Sequence, residues 1–89
     1  SGGAGIITFS GSGGIKRALG GSVELPLAFP ATLNEALLAL SEQHPGVQEL
    51  LFVKDAAIVT AWRAGERVDL DGALADGDQL DLILAVGGG

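Results

Sequence analysis

Three glycines, Gly87, Gly88 and Gly89, stand at the end of the sequence directly after a strand-like segment. Because glycine has no Cβ atom, such a segment can lie extended in a narrow channel and let another backbone or a nucleotide approach closely. We predict that the tail 87–89 is flexible in the free protein and that the carboxylate of Gly89 is the functional group. Glycines at a chain end are also common in simple linkers, so the tail alone does not establish a function.

Residues Gln79 to Val86 lead into the glycines and alternate in the manner of a half-buried strand. One set of alternate positions holds Leu80, Leu82, Leu84 and Val86, which we predict to face one way. The other set begins with the charged residue Asp81 and continues with the apolar residues Ile83 and Ala85. We predict that Ile83, Ala85 and Val86 form a patch where a partner docks beside the tail. The alternative is ordinary surface, because single exposed apolar residues are normal on proteins.

Other groups that could carry chemistry match known patterns poorly. The segment Gly11 to Arg17 lacks the Gly-Lys-Ser/Thr sequence of a phosphate-binding loop and the third glycine of a dinucleotide-binding fingerprint, so we interpret it as a plain loop. His44 precedes Pro45 at a predicted helix end, which favours a capping role over that of a general base or ligand. Trp62 is either a partner-contact residue or part of the core. With one histidine and no cysteine, no metal site is expected.

The net charge of the chain argues against one class of partner. The net charge is −6 and the isoelectric point is near 4.3, whereas binding to a phosphate backbone requires clustered lysine and arginine. Nucleic acid is therefore not an expected partner. Five aspartates come shortly before the tail: Asp69, Asp71, Asp76, Asp78 and Asp81. They form either a solvated acidic face or a surface that steers the protein toward a basic cleft on a partner.

Length and composition indicate one small domain with one core, since the chain has 89 residues of which 47% are hydrophobic. The absence of cysteine fits a reducing cytoplasm, where we expect the protein to reside. No apolar run reaches the roughly 20 residues that a membrane helix needs. There is no methionine, so Ser1 is either exposed by removal of an initiator or left by a cleaved tag. We predict a disordered or tag-derived segment over residues 1–5, a domain over residues 6–86 and a tail over residues 87–89.

A helix is the clearest predicted element. Thr32 and Glu35 have the spacing of a capping box, which predicts a helix that starts after Thr32. An apolar stripe follows at spacings of three and four, formed by Leu33, Ala36, Leu37 and Leu40. The segment His44 to Gly46 is expected to end the helix, and Gln48 to Phe52 to add at most a short helical turn.

Strands and turns account for most of the rest. The predicted strands are Ile6–Ser10, Val23–Leu27, Ala57–Trp62, Arg67–Leu70 and Gln79–Val86. Pro26 places the second of them at an edge of the sheet, because proline cannot donate to a ladder. Loops and turns are predicted over Gly11–Ser22, Ala64–Glu66 and Leu74–Asp78. The order β-β-α-β-β-β predicts an α+β domain whose sheet carries the helix on one face and leaves the other face open.

Taken together, these segments resemble the ubiquitin-like β-grasp sulfur carriers, such as the molybdopterin synthase small subunit and the thiamine sulfur carrier protein (the MoaD/ThiS-like family). The resemblance covers residues 6–89. Its specific parts are the Leu-x-Asp-Gly-Asp turn at Leu74 to Asp78 and the terminal glycines one strand later. It implies a mixed sheet of four to five strands packed on one main helix.

The resemblance also implies how the tail is used. A partner adenylating enzyme of the ubiquitin-activating type binds the fold and uses ATP to activate the carboxylate of the last glycine, which a sulfur donor then converts to a thiocarboxylate. The domain itself is not an enzyme and binds no cofactor; a sulfur-acceptor synthase is the second partner. The alternative is a ubiquitin-like modifier, in which a conjugating enzyme directs the same activated carboxyl to a lysine amine. A third possibility is a binding module without tail chemistry.

One departure from the family pattern concerns the tail. Family members often have a proline shortly before a Val-Ala-Gly-Gly or Val-Ser-Gly-Gly ending, whereas Leu84-Ala85-Val86 here leads into three glycines. The position of the reactive glycine is therefore open by one residue. If a protease trims the tail, Gly88 carries the carboxyl instead of Gly89.

Overall fold

Nine strands and three helices make up the part of the chain that the structure, a computed structural model, describes: residues 3–54 and 56–84. The strands are β1 (Gly3–Gly11), β2 (Val23–Phe29), β3 (Ala31–Thr32), β4 (Phe52–Val53), β5 (Ala56–Ala57), β6 (Val59–Arg63), β7 (Glu66–Val68), β8 (Ala73–Leu74) and β9 (Gln79–Leu84). The helices are α1 (Gly13–Leu19), α2 (Leu33–Gln43) and α3 (Pro45–Leu51).

Five of the strands form one mixed sheet in the order β2-β1-β9-β6-β7. The central pair, β1 and β9, is parallel, and the other neighbours are antiparallel. Two short antiparallel pairs, β3 with β8 and β4 with β5, lie outside this sheet. This arrangement is the α+β, ubiquitin-like β-grasp fold that the sequence predicts. The edge position predicted for β2 from Pro26 is also confirmed.

The core lies between the helices and one face of the sheet. Its largest fully buried side chains are Phe9, Ile7, Ile15, Leu25, Leu33, Leu37, Leu40, Leu51, Leu80, Leu82 and Val47. Every main element of the sheet and all three helices contribute to one apolar cluster. Inward positions of the strands alternate with exposed or half-buried ones, so the second face of the sheet carries no helix.

Helix α2 begins at the capping box that the sequence predicts. The amide of Glu35 donates to the Thr32 hydroxyl at 3.2 Å, and the amide of Thr32 donates to a carboxylate oxygen of Glu35 at 2.9 Å. All four residues of the predicted apolar stripe are buried. His44 follows as the C-cap, and its amide donates to the carbonyl of Leu40 at 2.9 Å.

The capping box gives a direct test of this start. Thr32→Ala removes the hydroxyl that accepts from Glu35, and we expect the free energy of unfolding to fall by about 0.5–2 kcal/mol. Chemical denaturation followed by circular dichroism measures it. Glu42→Ala, at an exposed position of the same helix, is the control and should change stability by about 0.5 kcal/mol or less. An equal loss in both variants would show that the cap contributes nothing specific.

Two helices differ from the sequence prediction. The segment predicted as a loop from Gly11 to Ser22 contains α1, which buries Ile15 and Leu19 at a spacing of one helical turn. Little in the sequence indicates this helix, because the N-cap Ser12 makes no side-chain cap bond and two glycines open the helix. Helix α3 is longer than the predicted short turn at Gln48–Phe52, since Pro45 occupies its first turn, where proline needs no hydrogen-bond partner.

The beginning of the chain also differs from the prediction. Gly3 to Gly5 belong to β1 and pair with Phe29, Ala28 and Leu27, so the sheet starts before residue 6. Gly5 is closely packed: a Cβ atom there would lie 2.5 Å from a ring carbon of Phe29 and 2.7 Å from the side chain of Asp76. The interpretation of residues 1–5 as disordered or tag-derived rests on the absence of methionine, which carries no information about strand pairing.

None of the helices in the described part of the chain has the length and apolar character needed to cross a bilayer.

Candidate functional site

Strand β9, which leads to the tail, is the central strand of the five-stranded sheet. It pairs in parallel with β1 on one side and antiparallel with β6 on the other. Leu80 and Leu82 point into the core and are each 1% exposed. The predicted inward set is confirmed for these two residues, and the tail therefore follows the best-supported strand of the domain.

Support for β9 decreases toward its end. Within the described residues, pairing with β1 stops at the pair Gly11 and Leu82, whereas pairing with β6 continues through Thr60 with Ile83 and Val59 with Leu84. Ile83 and Leu84 thus have a strand neighbour on one side only. Leu84 shares the inward direction of Leu82 but is 39% exposed, at a position where the described residues of β1 no longer pair with β9.

Of the predicted docking residues, one lies in the part of the chain that the structure describes and the others lie beyond it. Ile83 lies on the open face of the sheet and is 48% exposed, as expected for a contact position. The other predicted residues of the site, Ala85, Val86, Gly87, Gly88 and Gly89, lie outside the described residues, so their roles and the flexibility of the tail stay predictions.

Thr60 and Trp62 are the neighbours of Ile83 on the open face. Thr60 is directly opposite Ile83 in the ladder, and Trp62 is opposite Asp81, one diagonal step from Ile83. Trp62 is half-buried on this face, not in the core between sheet and helices. Its indole N–H donates to the Thr60 hydroxyl at 3.0 Å, and that hydroxyl donates to the backbone carbonyl of Ile83 at 3.3 Å.

The aspartates before the tail have structural partners more often than the sequence suggested. Asp76 accepts from the amide of Ile6 at 2.9 Å. Asp78 accepts from Arg63 at 2.7 Å and from the amide of Ala75 at 2.9 Å. These contacts fasten the turn that precedes β9 to β1 and β6.

Asp81 accepts a hydrogen bond from the Ser10 hydroxyl across the β1–β9 ladder. Asp69 and Asp71 are exposed, so they remain candidates for steering a partner. Asp81, Asp78 and Arg63 also line an open polar groove on the sheet, together with Ser10. The open face is therefore polar near the start of β9 and apolar near Ile83.

The described part of the chain was searched for clusters of side chains that could bind a metal ion. Residues 3–54 and 56–84 contain no group of three or more histidine, aspartate or glutamate side chains placed to hold a metal ion. The segment Gly11 to Arg17 is occupied by α1, whose fold role is to bury Ile15 under the end of β1. The features that remain for function are the end of β9, the open face beside it and the tail.

Sequence reasoning missed the contact between Thr60 and Ile83. The predicted hairpin of β6 and β7 and the alternation in β9 were both available, but the register that sets Thr60 against Ile83 depends on which strands are neighbours. That neighbour relation follows from the sheet order and not from local pattern.

Comparison with known proteins decides the family. The sequence model of the ThiS family matches residues 13–89, which is most of the chain and includes β9 and the terminal glycines. The chain belongs to the ThiS family. This ThiS-family protein is a small ubiquitin-like carrier, in agreement with the resemblance drawn from the sequence. A search among curated proteins found no significant match.

Solved structures support the assignment. SAMP1 from Haloferax volcanii is 29% identical with a TM-score of 0.82, covering 96% of this chain and 100% of that one. A structure of the Amycolatopsis orientalis BexX/CysO complex matches at 25% identity and a TM-score of 0.68, covering 93% and 99%. A putative molybdopterin converting factor subunit 1 from Pyrococcus furiosus, at 21% identity and a TM-score of 0.76, covers 92% and 99% and is similar in fold.

Proposed function

We propose that this ThiS-family protein is a sulfur carrier whose terminal glycine carboxyl, on Gly89, is adenylated by an activating enzyme and converted to a thiocarboxylate. The observation that carries the proposal is the family match, which runs through β9 to residue 89 and so includes the glycine tail. The β-grasp fold supports it, because the central strand of the sheet leads directly to that tail.

The chemistry uses only the carboxylate of this chain. An oxygen of the Gly89 carboxylate attacks the α-phosphorus of ATP, the bond to the β-phosphate oxygen breaks, and pyrophosphate leaves. A carboxylate is a poor acyl donor, whereas its mixed anhydride with AMP is a good one. With hydrosulfide as the sulfur donor, the sulfur attacks the acyl carbon and the C–O bond to AMP breaks, with its electrons leaving on AMP. Loss of the S–H proton then gives the thiocarboxylate, with no change of oxidation state.

We propose that the work is divided between this protein and its partners. The partner binds ATP and supplies the groups that stabilise the transition state, and the domain binds no cofactor of its own. We place the protein in the cytoplasm, with an activating enzyme and a sulfur-acceptor synthase as its successive partners. A protease takes part only if the tail is trimmed to Gly88.

The docking surface of the carrier is the apolar end of the open face. Ile83 is 48% exposed on a strand that is otherwise anchored in the core. A rigid strand that carries an exposed apolar side chain is a suitable contact for a partner, because little conformational entropy is lost when it binds. We assign Ala85 and Val86, which continue the strand pattern, to the same contact.

A protein modifier is the second candidate function. The observation that favours it is the similarity to SAMP1 from Haloferax volcanii, described as a small archaeal modifier protein, at 29% identity over 96% of this chain. Activation would be the same, and the acyl group would pass to a lysine amine to form an isopeptide bond. The two functions differ only in the acceptor.

ATP–pyrophosphate exchange tests the shared activation step. The full chain is mixed with the activating enzyme of its own organism, ATP and labelled pyrophosphate, and label is expected to enter ATP only when the chain is present. A sulfur donor should then yield a thiocarboxylate. If exchange occurs and the only product is a conjugate to lysine, the protein is a modifier and not a sulfur carrier. If no exchange occurs, tail activation is contradicted.

A further inference from the structure

Two hydrogen bonds on the open face lead from Trp62 through Thr60 to the backbone carbonyl of Ile83, near the end of β9. We propose that Trp62 and Thr60 form a positioning relay that holds the carbonyl of Ile83 and so sets the direction in which the tail leaves the sheet. This inference rests on the proposed function, since it concerns how the tail reaches a partner's ATP. The role we assign to Trp62 and Thr60 is positioning and not catalysis.

The donors and acceptors of the relay have one consistent order. The indole N–H of Trp62 can only donate, and it donates to the Thr60 oxygen at 3.0 Å. That contact occupies a lone pair of the hydroxyl and leaves its proton for the carbonyl of Ile83, 3.3 Å away. Successive hydrogen bonds of this kind polarise one another, so each strengthens the next.

The relay contacts the end of β9, where the strand pairs with β6 but no longer with β1. Among the described residues, β1 pairs with β9 only as far as Leu82, so Ile83 is held from the β6 side alone. Thr60 belongs to β6 and adds a side-chain contact to the same peptide group that continues into Leu84. The relay therefore supplements the ladder on its one remaining side.

Trp62 is held in place by its own surroundings. In the ladders it lies opposite Asp81 on β9 and opposite Arg67 on β7, and it is half-buried between them. A large, partly buried ring has few alternative rotamers, so its N–H is presented to Thr60 at little cost in entropy. Fixing the ring thus fixes the threonine hydroxyl, and the hydroxyl fixes the carbonyl.

The consequence for activity is geometric. The carbonyl of Ile83 lies six residues before Gly89, and the orientation of its peptide plane sets the direction in which the backbone continues into Leu84. Adenylation needs the carboxylate oxygen in line with the α-phosphorus, and a misplacement of about 1 Å can cost ~100-fold in rate. Loss of the relay should therefore lower kcat for adenylation and leave KM, which reports docking through Ile83, nearly unchanged.

Two variants at one position isolate the relay. Thr60→Val keeps the shape and the β-branching but removes the hydroxyl, whereas Thr60→Ser keeps the hydroxyl. In the free protein, NMR should show the carbonyl ¹³C resonance of Ile83 shifted and the Leu84 amide exchanging faster in Thr60→Val, with both restored in Thr60→Ser. Trp62→Phe keeps an aromatic side chain but removes the indole N–H. It should change the Ile83 carbonyl shift and the Leu84 exchange rate in the same direction as Thr60→Val, by a smaller amount.

Kinetics with the activating enzyme complete the test. We expect Thr60→Val to lower kcat for exchange by about fivefold, the effect of one ordinary hydrogen bond, with KM nearly unchanged. Loss of the same bond should lower Tm by no more than about 4–8 °C, and Thr60→Ser should be close to wild type. Unchanged Ile83 and Leu84 signals in Thr60→Val would overturn the relay. Changed signals with an unchanged kcat would overturn its role in positioning.

The relay and the proposed function fail in different ways. If the wild-type chain supports no exchange, the proposed function is contradicted, and the positioning role is contradicted with it, whereas the NMR comparison still decides whether the relay holds the Ile83 carbonyl. If wild type is active and Thr60→Val lowers Tm by much more than about 8 °C, which is more than one hydrogen bond accounts for, the residue is structural and the positioning role is overturned.

Discussion

Deletion of Gly89 is expected to slow ATP–pyrophosphate exchange by at least about 100-fold. One residue of extended chain spans roughly 3.5 Å, and a misplacement of about 1 Å is already enough for ~100-fold. The carboxylate of the shortened chain would end one residue short of the α-phosphorus. The measurement is the exchange rate with the cognate activating enzyme at saturating ATP. Folding should be unaffected, because the deletion leaves every described contact in place.

The opposite result would identify a different terminus. If the shortened chain is as active as the full one or more active, Gly88 carries the carboxyl and Gly89 is removed in the cell. Gly88→Val is the companion variant. Its branched side chain restricts φ and ψ and adds bulk that a channel shaped for glycine excludes, so exchange should be lost with Tm unchanged. Full activity in Gly88→Val would show that the tail passes no such channel.

Ile83→Glu is expected to give the second large effect, a fall of about 30- to 1,000-fold in kcat/KM for adenylation. A central apolar contact contributes about 2–4 kcal/mol to an interface, and the variant replaces it with a charge that would have to be desolvated. The loss should appear mainly as a higher KM. Stability should change little, because the side chain is 48% exposed and lies on the open face.

Ile6→Glu is the matched control for this variant. Ile6 is the same residue type, is 45% exposed and lies on the same face of the sheet, but on β1 at the end opposite to the tail. It should leave kcat/KM within a few-fold of wild type. Equal losses in Ile6→Glu and Ile83→Glu would mean that charge on the open face is disfavoured everywhere. A large fall in Tm for Ile83→Glu would show that the side chain supports the fold, and the docking assignment would then be wrong.

The fold could be predicted where the signal was local. Helix α2 has a start signal, a four-residue apolar stripe and a stop signal within 16 positions of sequence, from about Ala31 to Gly46, and each was confirmed. Local signals also predicted the hairpin between β6 and β7 and the inward direction of the leucines at positions 80 and 82 of β9. Each of these signals needs only residues that are close together in the chain.

The fold could not be predicted where the stabilising contacts come from distant residues. Helix α1 has seven residues, no side-chain cap and two glycines at its start, so its stability depends on burial of Ile15 and Leu19 against the rest of the core. Gly3 to Gly5 pair with β2 through their backbone alone, and glycines carry no side-chain pattern that would reveal a strand.

The candidate site, like the fold, has one part that local sequence signals predict and one part that they do not. The tail could be identified from the sequence, because its chemistry belongs to a backbone carboxylate and needs only glycines after a strand. The contact from Trp62 through Thr60 to Ile83 joins two strands, and Thr60 and Ile83 are 23 positions apart in the sequence. It exists only because β6 and β9 are neighbours in the sheet. A local pattern cannot show such a contact.

Mass spectrometry of the C-terminal peptide, isolated from the native organism, tests the sulfur-carrier proposal most directly. We predict a population of the peptide that ends in glycine and is heavier by about 16 Da, because one carboxylate oxygen has been replaced by sulfur. Alkylation should remove this species from its original position in the spectrum, since a thiocarboxylate is a better nucleophile than a carboxylate. A peptide found only in its unmodified form, or only joined to lysine side chains of other proteins, would contradict the carrier function.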